Sequence, residues 1–152
     1  MKAEVRDAAE MRALGVRIAG RLAPGDLVVL TGSLGAGKTT LTQGIGEGLN
    51  VRGPITSPTF VISRVHPSLA DGPALVHVDA YRLGGALEVD DLDLDASIAD
   101  SVTIVEWGEG LVEDLSDERL EILIESRAED DRRIVHVRGI GHRWSDIPAA
   151  LI

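Results

Sequence analysis

The feature that most constrains this chain is a glycine-rich turn between an apolar run and a segment with helical spacing. The turn covers residues 32–40 and reads Gly-Ser-Leu-Gly-Ala-Gly-Lys-Thr-Thr. The apolar run 27–30 precedes it, and Leu41, Ile45 and Leu49 follow at the spacing of one helix face. A strand, a glycine-rich turn and a helix in this order predict a phosphate-binding loop.

The residue types in this turn suit phosphate chemistry. Glycines let the main chain approach phosphate oxygens, and successive backbone N–H groups at a helix start form an electropositive anion site. Lys38 supplies a compact charge to the outer phosphates, and the Thr39 hydroxyl is placed to bind Mg²⁺. Only Lys2 and Lys38 are lysines among the 15 cationic residues, and a point charge suits such a loop better than an arginine fork. We predict that the nucleotide-binding residues of the loop are Gly35, Ala36, Gly37, Lys38, Thr39 and Thr40.

Composition argues against several classes of partner. The chain carries a formal net charge of −10, whereas a protein that binds nucleic acid unaided usually presents a basic face. We therefore expect no DNA partner, and we expect any RNA to be held mainly by another protein. No apolar run reaches the length of a membrane span, and the first residues lack a signal-peptide core. The chain has no cysteine, so it suits a reducing cytoplasm, and we expect no membrane partner.

The helices are predicted from capping residues and apolar spacing. Asp7 and Glu10 form a capping box at the start of a first helix. Its expected buried stripe consists of Met11, Leu14, Ile18 and Leu22. A second helix follows the loop, and its later turns are the weaker part of the prediction because they contain the poor helix formers Gly44, Gly46 and Gly48. We also expect a short terminal helix within residues 139–152.

Five further segments predict strands that accompany the strand at 27–30. They are residues 60–65, 74–78, 102–105, 120–125 and 134–137. Short links join the first two and the last two, which predicts two antiparallel pairs, the second a hairpin that closes one side of the sheet. We expect a single domain over residues 1–152, of the α/β class. Its predicted fold is a P-loop NTPase-like three-layer domain with a mixed, mainly parallel central sheet and antiparallel hairpin additions.

Two predicted strands end in a carboxylate, Asp79 and Glu106. Ligands of open α/β sheets gather at the carboxyl ends of strands, and phosphate-loop enzymes need groups there to hold Mg²⁺ and to orient the attacking water. Spacing leaves open which carboxylate takes which role. Together with Lys38 they are the candidate catalytic residues, and together with Thr39 they are the candidate metal ligands.

Three further residues have two interpretations each. Thr59, in a Ser-Pro-Thr sequence before a strand, belongs either to a simple turn or to a switch loop that senses the γ-phosphate and Mg²⁺. Trp107 either packs in the core or covers the nucleotide. His77 lies inside a strand and is more typical of a packed or hydrogen-bonded side chain than of a catalyst. The other histidines lack metal-ligand spacing.

Four motifs together resemble the TsaE family, small bacterial ATPases of tRNA threonylcarbamoyladenosine biosynthesis. They are the loop 32–40, Ser57-Pro58-Thr59-Phe60, His77-Val78-Asp79-Ala80-Tyr81-Arg82-Leu83 and Val105-Glu106-Trp107, in matching order and spacing. The second and third motifs are more discriminating than the loop, which many unrelated proteins share. The resemblance implies an enzyme that uses ATP and Mg²⁺ and works with the TsaD–TsaB pair, which transfers the threonylcarbamoyl group to adenosine in tRNA. This component would reset the assembly between rounds, while its partners carry most of the tRNA contact.

The resemblance also implies roles for individual residues. Lys38 and the loop amides would bind phosphates, and Thr39 and Glu106 would hold Mg²⁺. Asp79 would lie at the nucleotide, and Thr59 would belong to a switch-like loop.

Three other positions bear on the same comparison. Arg132, at the start of the last strand, resembles a family arginine near the nucleotide. Met11 stands where many relatives have a threonine in the first helix, which argues against a polar nucleotide contact there. Gly108 follows the Glu-Trp pair where proline is common, which loosens that turn.

Two rival functions stay open at this stage. A small-molecule kinase of the shikimate or gluconate type shares the loop and the length, but it usually needs an arginine-bearing lid, and the late arginines here lie on a predicted hairpin. The other rival is a nucleotide-responsive assembly factor whose hydrolysis is incidental. Adenine is the expected base, because the chain has no Asn-Lys-x-Asp element to read guanine.

Overall fold

The computed structural model describes residues 2–33, 35–53, 55, 63–79, 99–106, 118–126 and 132–145, with Asp79 described by its main chain alone. The elements in this part of the chain are β1 Lys2–Val5, α1 Ala8–Ala19, β2 Leu27–Gly32, α2 Lys38–Leu49, β3 Ser63–His66, β4 Ala74–Asp79, β5 Ser101–Glu106, β6 Arg119–Ser126 and β7 Arg133–Ile140. A 3-10 turn, His142–Trp144, follows β7, and the rest of the segment in which a short terminal helix was expected lies outside the described residues. No helix among the described residues is long and apolar enough to cross a membrane.

All seven described strands belong to one sheet, in the order β1-β7-β6-β2-β5-β4-β3. The central strands β6, β2, β5 and β4 run parallel to one another. At the two sides, β3 pairs antiparallel with β4, and β7 pairs antiparallel with β6 and with β1. The prediction of a mixed sheet with a parallel centre and antiparallel additions is confirmed, and both predicted antiparallel pairs are present. Strand β1 was not predicted.

Helix α1 begins at the predicted capping box, with one difference in its hydrogen bonds. The Asp7 carboxylate accepts from the Glu10 N–H at 2.9 Å, as an N-cap does. The Glu10 carboxylate, however, accepts from the main-chain N–H of Arg6 at 2.8 Å. That bond and a second one from the Arg6 guanidinium hold the pKa of Glu10 below its ordinary value. The start of α1 is therefore fixed by two carboxylates.

The glycines of α2 serve the packing of the two helices. Helix α2 is continuous from Lys38 to Leu49, including the turns that contain glycine. A Cβ at Gly44 would collide with the main-chain oxygen of Arg12 in α1. A Cβ at Gly48 would come within 2.5 Å of the Ala19 methyl group. The helices lie so close together that their contact admits only hydrogen at these positions.

Both described helices cover the same face of the sheet. One hydrophobic cluster joins α1 and α2 to alternate residues of the strands, which are the ones that point to this face. Its members from the helices are Met11, Leu14, Ile18, Leu41 and Ile45, and those from the central strands include Val28, Leu30, Val102, Ile104 and Ile122. All six residues of β5 are buried, as predicted for a central strand. The described residues form two layers, and the third layer of the predicted architecture stays a prediction.

Candidate nucleotide-binding site

The glycine-rich loop joins the end of β2 to the start of α2, as predicted. Gly35 has φ 78° and Gly37 has φ 109°, and both values lie in the left-handed region that glycine adopts without strain. Gly37 is the N-cap of α2, and no described side chain caps it; the first turn holds no acidic residue either. The first N–H groups of α2 and its positive dipole end therefore face the loop without a side-chain acceptor, which is the arrangement that binds anions.

The Lys38 side chain packs against the main chain of the glycine-rich loop. Its side chain is buried, and its Nζ donates to the main-chain oxygens of Gly32 at 2.5 Å and Ser33 at 3.0 Å. The Thr42 hydroxyl donates to the Lys38 carbonyl, four residues earlier in α2, at 2.8 Å. The only lysine besides Lys2 thus places its charge against the turn where phosphate oxygens would lie.

The two strand-end carboxylates belong to adjacent strands beside this loop. Asp79 and Glu106 are register partners across β4 and β5. On the other side of β5, Glu106 pairs with Leu30, two residues before Gly32 at the end of β2. Two residues of strand span about 7 Å, so Glu106 lies within reach of the loop. The prediction that these strand ends meet at one edge of the sheet is confirmed, whereas the chemical roles of the two carboxylates stay predictions.

Glu106 is held in place by a histidine. Its Oε2 lies 2.8 Å from Nε2 of His77, and the two side chains are 5% and 0% exposed. His77 is therefore a buried, hydrogen-bonded side chain, as its position in a strand predicted. Sequence reasoning did not identify its partner.

The donor groups near the loop fit Mg²⁺. Mg²⁺ takes oxygen ligands and is usually bound by one or two carboxylates together with substrate phosphates. The Glu106 carboxylate and the Thr39 hydroxyl, on the half-buried first turn of α2, are oxygen groups of this kind. No group of three or more His, Cys, Asp or Glu residues in the described part could hold a metal ion unaided. This donor set suits a cation that arrives with a phosphate.

A cavity of about 290 Å³ lies beside the loop, between the start of α1 and the start of β7. Its lining residues are Asp7, Ala8, Met11, Gly35, Ala36, Gly37, Thr40 and Arg133. The Met11 methyl group lies 3.1 Å from the point where a Cβ of Gly37 would be, so the helix packs directly on the loop. Arg133 Nε donates to the main-chain oxygen of Ala36 at 3.2 Å. The cavity therefore combines an apolar wall, a guanidinium group and the loop backbone.

Sequence reasoning missed Arg133 and selected its neighbour. Arg132 Nη1 lies 3.3 Å from Glu4 Oε1, and both side chains are about half exposed. The nucleotide role predicted for Arg132 stays untested. Arg133, the first residue of β7, contacts the loop at Ala36. Its position directly before the predicted strand 134–137 is the signal that could have identified it.

His66 is a second buried histidine on the helix-facing side of the sheet. Its Nδ1 lies 3.2 Å from the Arg52 carbonyl oxygen. Burial lowers the pKa of His66, and the charges of His77 and Arg64 lower it further, whereas the hydrogen bond with Arg52 acts in the opposite direction.

Thr59, Trp107 and Gly108 lie outside the described residues, so the predictions about them stay predictions.

Comparison with known proteins connects this site to a family. A family model described as "Threonylcarbamoyl adenosine biosynthesis protein TsaE" matches residues 5–134. The tRNA threonylcarbamoyladenosine biosynthesis protein TsaE of Streptomyces coelicolor is 60% identical over 146 residues, covering 93% of this chain and 99% of the relative. The protein of the same name from Bacillus subtilis is 40% identical over 137 residues, covering 89% and 83%.

One solved structure has the same fold. The crystal structure of Bacillus subtilis YdiB superimposes with a TM-score of 0.78 at 34% sequence identity and covers 99% of this chain and 93% of that one. The family match spans the loop, both strand-end carboxylates and the start of β7. This chain belongs to the TsaE family.

Proposed function

We propose that this chain binds ATP with Mg²⁺, hydrolyses the nucleotide, and acts with TsaD and TsaB in tRNA threonylcarbamoyladenosine biosynthesis. Hydrolysis would permit the partner complex to complete many rounds of tRNA modification. The relatives' names refer to this pathway, and the family match over residues 5–134 supports the assignment.

One observation supports the nucleotide chemistry above the others. The buried ammonium group of Lys38 lies against the glycine-rich turn at the start of α2, and the buried carboxylate of Glu106 ends the strand that pairs with β2. A cation, a set of backbone N–H groups and a carboxylate at one sheet edge are what a Mg²⁺-nucleotide requires.

The proposed roles follow from these positions. The N–H groups of the loop and the Lys38 ammonium group would bind the β- and γ-phosphates, and Thr39 and Glu106 would hold Mg²⁺. When bound, Mg²⁺ neutralises charge that develops on the transferred phosphoryl group. One carboxylate at this edge would orient the attacking water, and Asp79, the register partner of Glu106, is the proposed second carboxylate.

The cavity beside the loop supports a site for the base and sugar. Met11 supplies an apolar contact surface, and Arg133 supplies a planar guanidinium group beside the Ala36 carbonyl. Small-molecule sites are commonly apolar cavities with a few polar groups of this kind. We assign adenine to it, because the chain lacks an element that reads guanine.

We expect hydrolysis by the isolated chain to be slow. Phosphate-loop enzymes often need an additional group, supplied by a partner, to stabilise charge in the transition state. The net charge of −10 also disfavours direct binding of tRNA by this chain, so TsaD and TsaB would carry most of that contact.

Reconstitution tests the proposal. The modified adenosine formed by purified TsaD and TsaB would be measured over many turnovers, with this chain, without it, and with the Glu106→Ala variant. We expect sustained modification and stimulated ATP hydrolysis only with the unaltered chain. Equal ATPase rates with and without the partners would contradict partner stimulation. Normal cycling with Glu106→Ala would favour an assembly factor, and ADP production that depends on a small acceptor molecule would favour a kinase.

A further inference from the structure

The buried pair of His77 and Glu106 has a defined hydrogen-bond direction. The distance between His77 Nε2 and Glu106 Oε2 is 2.8 Å, and His77 has no exposed side-chain surface. An ionised carboxylate can only accept hydrogen bonds, so Nε2 of the imidazole carries the proton and donates it. A charge-assisted bond of this kind is short, strong and directional. It therefore restricts the rotation of the carboxylate.

The register of the parallel strands creates this contact. His77 pairs with Ile104, and Glu106 is the residue two positions further along β5. Residues two apart in a strand point to the same face, so the imidazole of β4 and the carboxylate of β5 share the helix-facing side of the sheet. Glu106 also pairs with Leu30 in β2, so His77 approaches the carboxylate from the side opposite to the strand that leads into the loop.

The rest of the imidazole has no comparable contact. Its Nδ1 is buried and has no hydrogen-bond partner among the described residues. A buried nitrogen without a hydrogen-bond partner has a free-energy cost. An apolar side chain could fill this space without that cost. The one polar contact of the ring in the described structure is with Glu106. No described residue donates to the other carboxylate oxygen, Oε1.

We propose that His77 is a positioning residue that holds Glu106 Oε2 and so leaves Oε1 oriented to bind the cation of a Mg²⁺-nucleotide. The inference rests on the proposed function, because it concerns the same site. Groups that hydrogen-bond to metal ligands fix the orientation of those ligands, and their loss typically costs about 10- to 100-fold in metal affinity. His77 does not touch the nucleotide in this scheme and acts only through Glu106.

The test compares Mg²⁺ binding in matched variants. His77→Leu removes the donor and keeps an apolar side chain in the buried site, whereas His77→Gln keeps an N–H group that can reach the carboxylate. A non-hydrolysable ATP analogue would be titrated in EDTA and then at increasing Mg²⁺ concentrations, at one fixed pH. We expect His77→Leu to weaken the apparent Mg²⁺ affinity about tenfold without changing the analogue affinity in EDTA, and His77→Gln to restore it.

His66 provides the control for the loss of a buried imidazole. It is also buried, at 4% exposed, but its ring lies next to the Arg52 carbonyl oxygen and not next to a carboxylate. His66→Leu should leave the Mg²⁺ affinity unchanged, and urea unfolding would confirm that each variant is folded. An equal loss of Mg²⁺ affinity in His66→Leu and His77→Leu would overturn the proposal, because the effect would then be structural.

A double-mutant cycle tests whether His77 acts through Glu106. In the Glu106→Gln background, His77→Leu should cause no further loss of Mg²⁺ affinity, whereas additive losses would overturn the proposal. Ring-nitrogen NMR spectra of the unaltered protein should show the His77 proton on Nε2, with a changed signal in Glu106→Gln. This measurement does not depend on whether His77→Leu folds, and a proton on Nδ1 alone would contradict the proposal.

The same cycle separates the two levels of inference. If Glu106→Gln weakens Mg²⁺ affinity and His77→Leu does not, only the positioning role of His77 fails. If the unaltered chain binds the analogue equally well with Mg²⁺ and in EDTA, the proposed function fails, and the role of His77 fails with it.

Discussion

Arg133 Nε donates a hydrogen bond to the main-chain oxygen of Ala36 at 3.2 Å, which connects the first residue of β7 to the glycine-rich loop. The two residues are 97 positions apart in the sequence. The contact brings the antiparallel side of the sheet to the cavity beside the loop, where Met11 forms the facing wall. A part of the chain that lies far from the loop in sequence therefore contributes to the proposed nucleotide site.

We predict that Arg133→Ala weakens ADP binding about three- to tenfold, which corresponds to the loss of roughly one net hydrogen bond. The guanidinium group fixes the loop at Ala36 and lines the cavity that we assign to the base. Fluorescence titration with a labelled ADP would measure the effect. Arg132→Ala is the matched control, because that side chain is about half exposed and contacts Glu4. A larger loss of ADP affinity in Arg132→Ala than in Arg133→Ala would support the nucleotide contact predicted for Arg132 from the sequence.

We predict that Lys38→Ala weakens ATP binding about 10- to 100-fold, as expected for charge-assisted hydrogen bonds to the outer phosphates. The ammonium group is buried against the turn at Gly32 and Ser33, and no other lysine is near the loop in sequence. Lys2, on the exposed end of β1, provides the control, and Lys2→Ala should bind ATP normally. Calorimetry would measure both affinities. Unchanged ATP affinity in Lys38→Ala would contradict the phosphate role of the loop.

We predict that the free energy of unfolding falls as the pH drops below about 6.5, and that His66 contributes to this fall. The folded-state pKa of His66 is lower than its ordinary value of 6.5, mainly because burial disfavours the charged ring. Above about pH 6.5, the His66 ring is neutral in both the folded and the unfolded state, so it adds no pH dependence to the free energy of unfolding. As the pH falls, the unfolded chain takes up the proton first, so stability is lost until the pH passes the folded-state pKa. Urea unfolding of the unaltered chain and of His66→Gln would measure it; equal pH slopes would contradict the contribution of His66.

Local rules predicted the parts of the fold that neighbouring residues decide. The loop, the Asp7 cap of α1 and the two antiparallel pairs follow from spacing, capping and turn length, and the structure contains each of them. The meeting of Asp79 and Glu106 was also predictable, because parallel strands end at the same edge of a sheet.

The features that were missed depend on pairing between distant segments. Strand β1 contains only Lys2–Val5, a short and mixed sequence that becomes a strand by pairing with β7. The contact of Arg133 with Ala36 joins residues 97 apart and depends on where β7 lies beside the loop, whereas the role predicted for Arg132 stays a prediction. The contact of His77 with Glu106 joins residues 29 apart and depends on the register of two strands. None of these can be read from local spacing.

The glycines of α2 give the last prediction, since propensity and packing disagree about them. Intrinsic helix propensity alone predicts that Gly44→Ala stabilises the helix by about 1 kcal/mol. A Cβ at Gly44 would instead meet the main-chain oxygen of Arg12, which cannot move without shifting α1. Overpacking of this kind costs about 1 to 3 kcal/mol, so we expect Gly44→Ala to lower the free energy of unfolding in urea. Gly20→Ala is the control: Gly20 has φ −62°, the nearest atom to its Cβ would lie 3.4 Å away, and the change should be neutral or stabilising by about 0.4 to 1 kcal/mol. Equal stabilisation by both substitutions would show that α1 and α2 are not in close contact at this point.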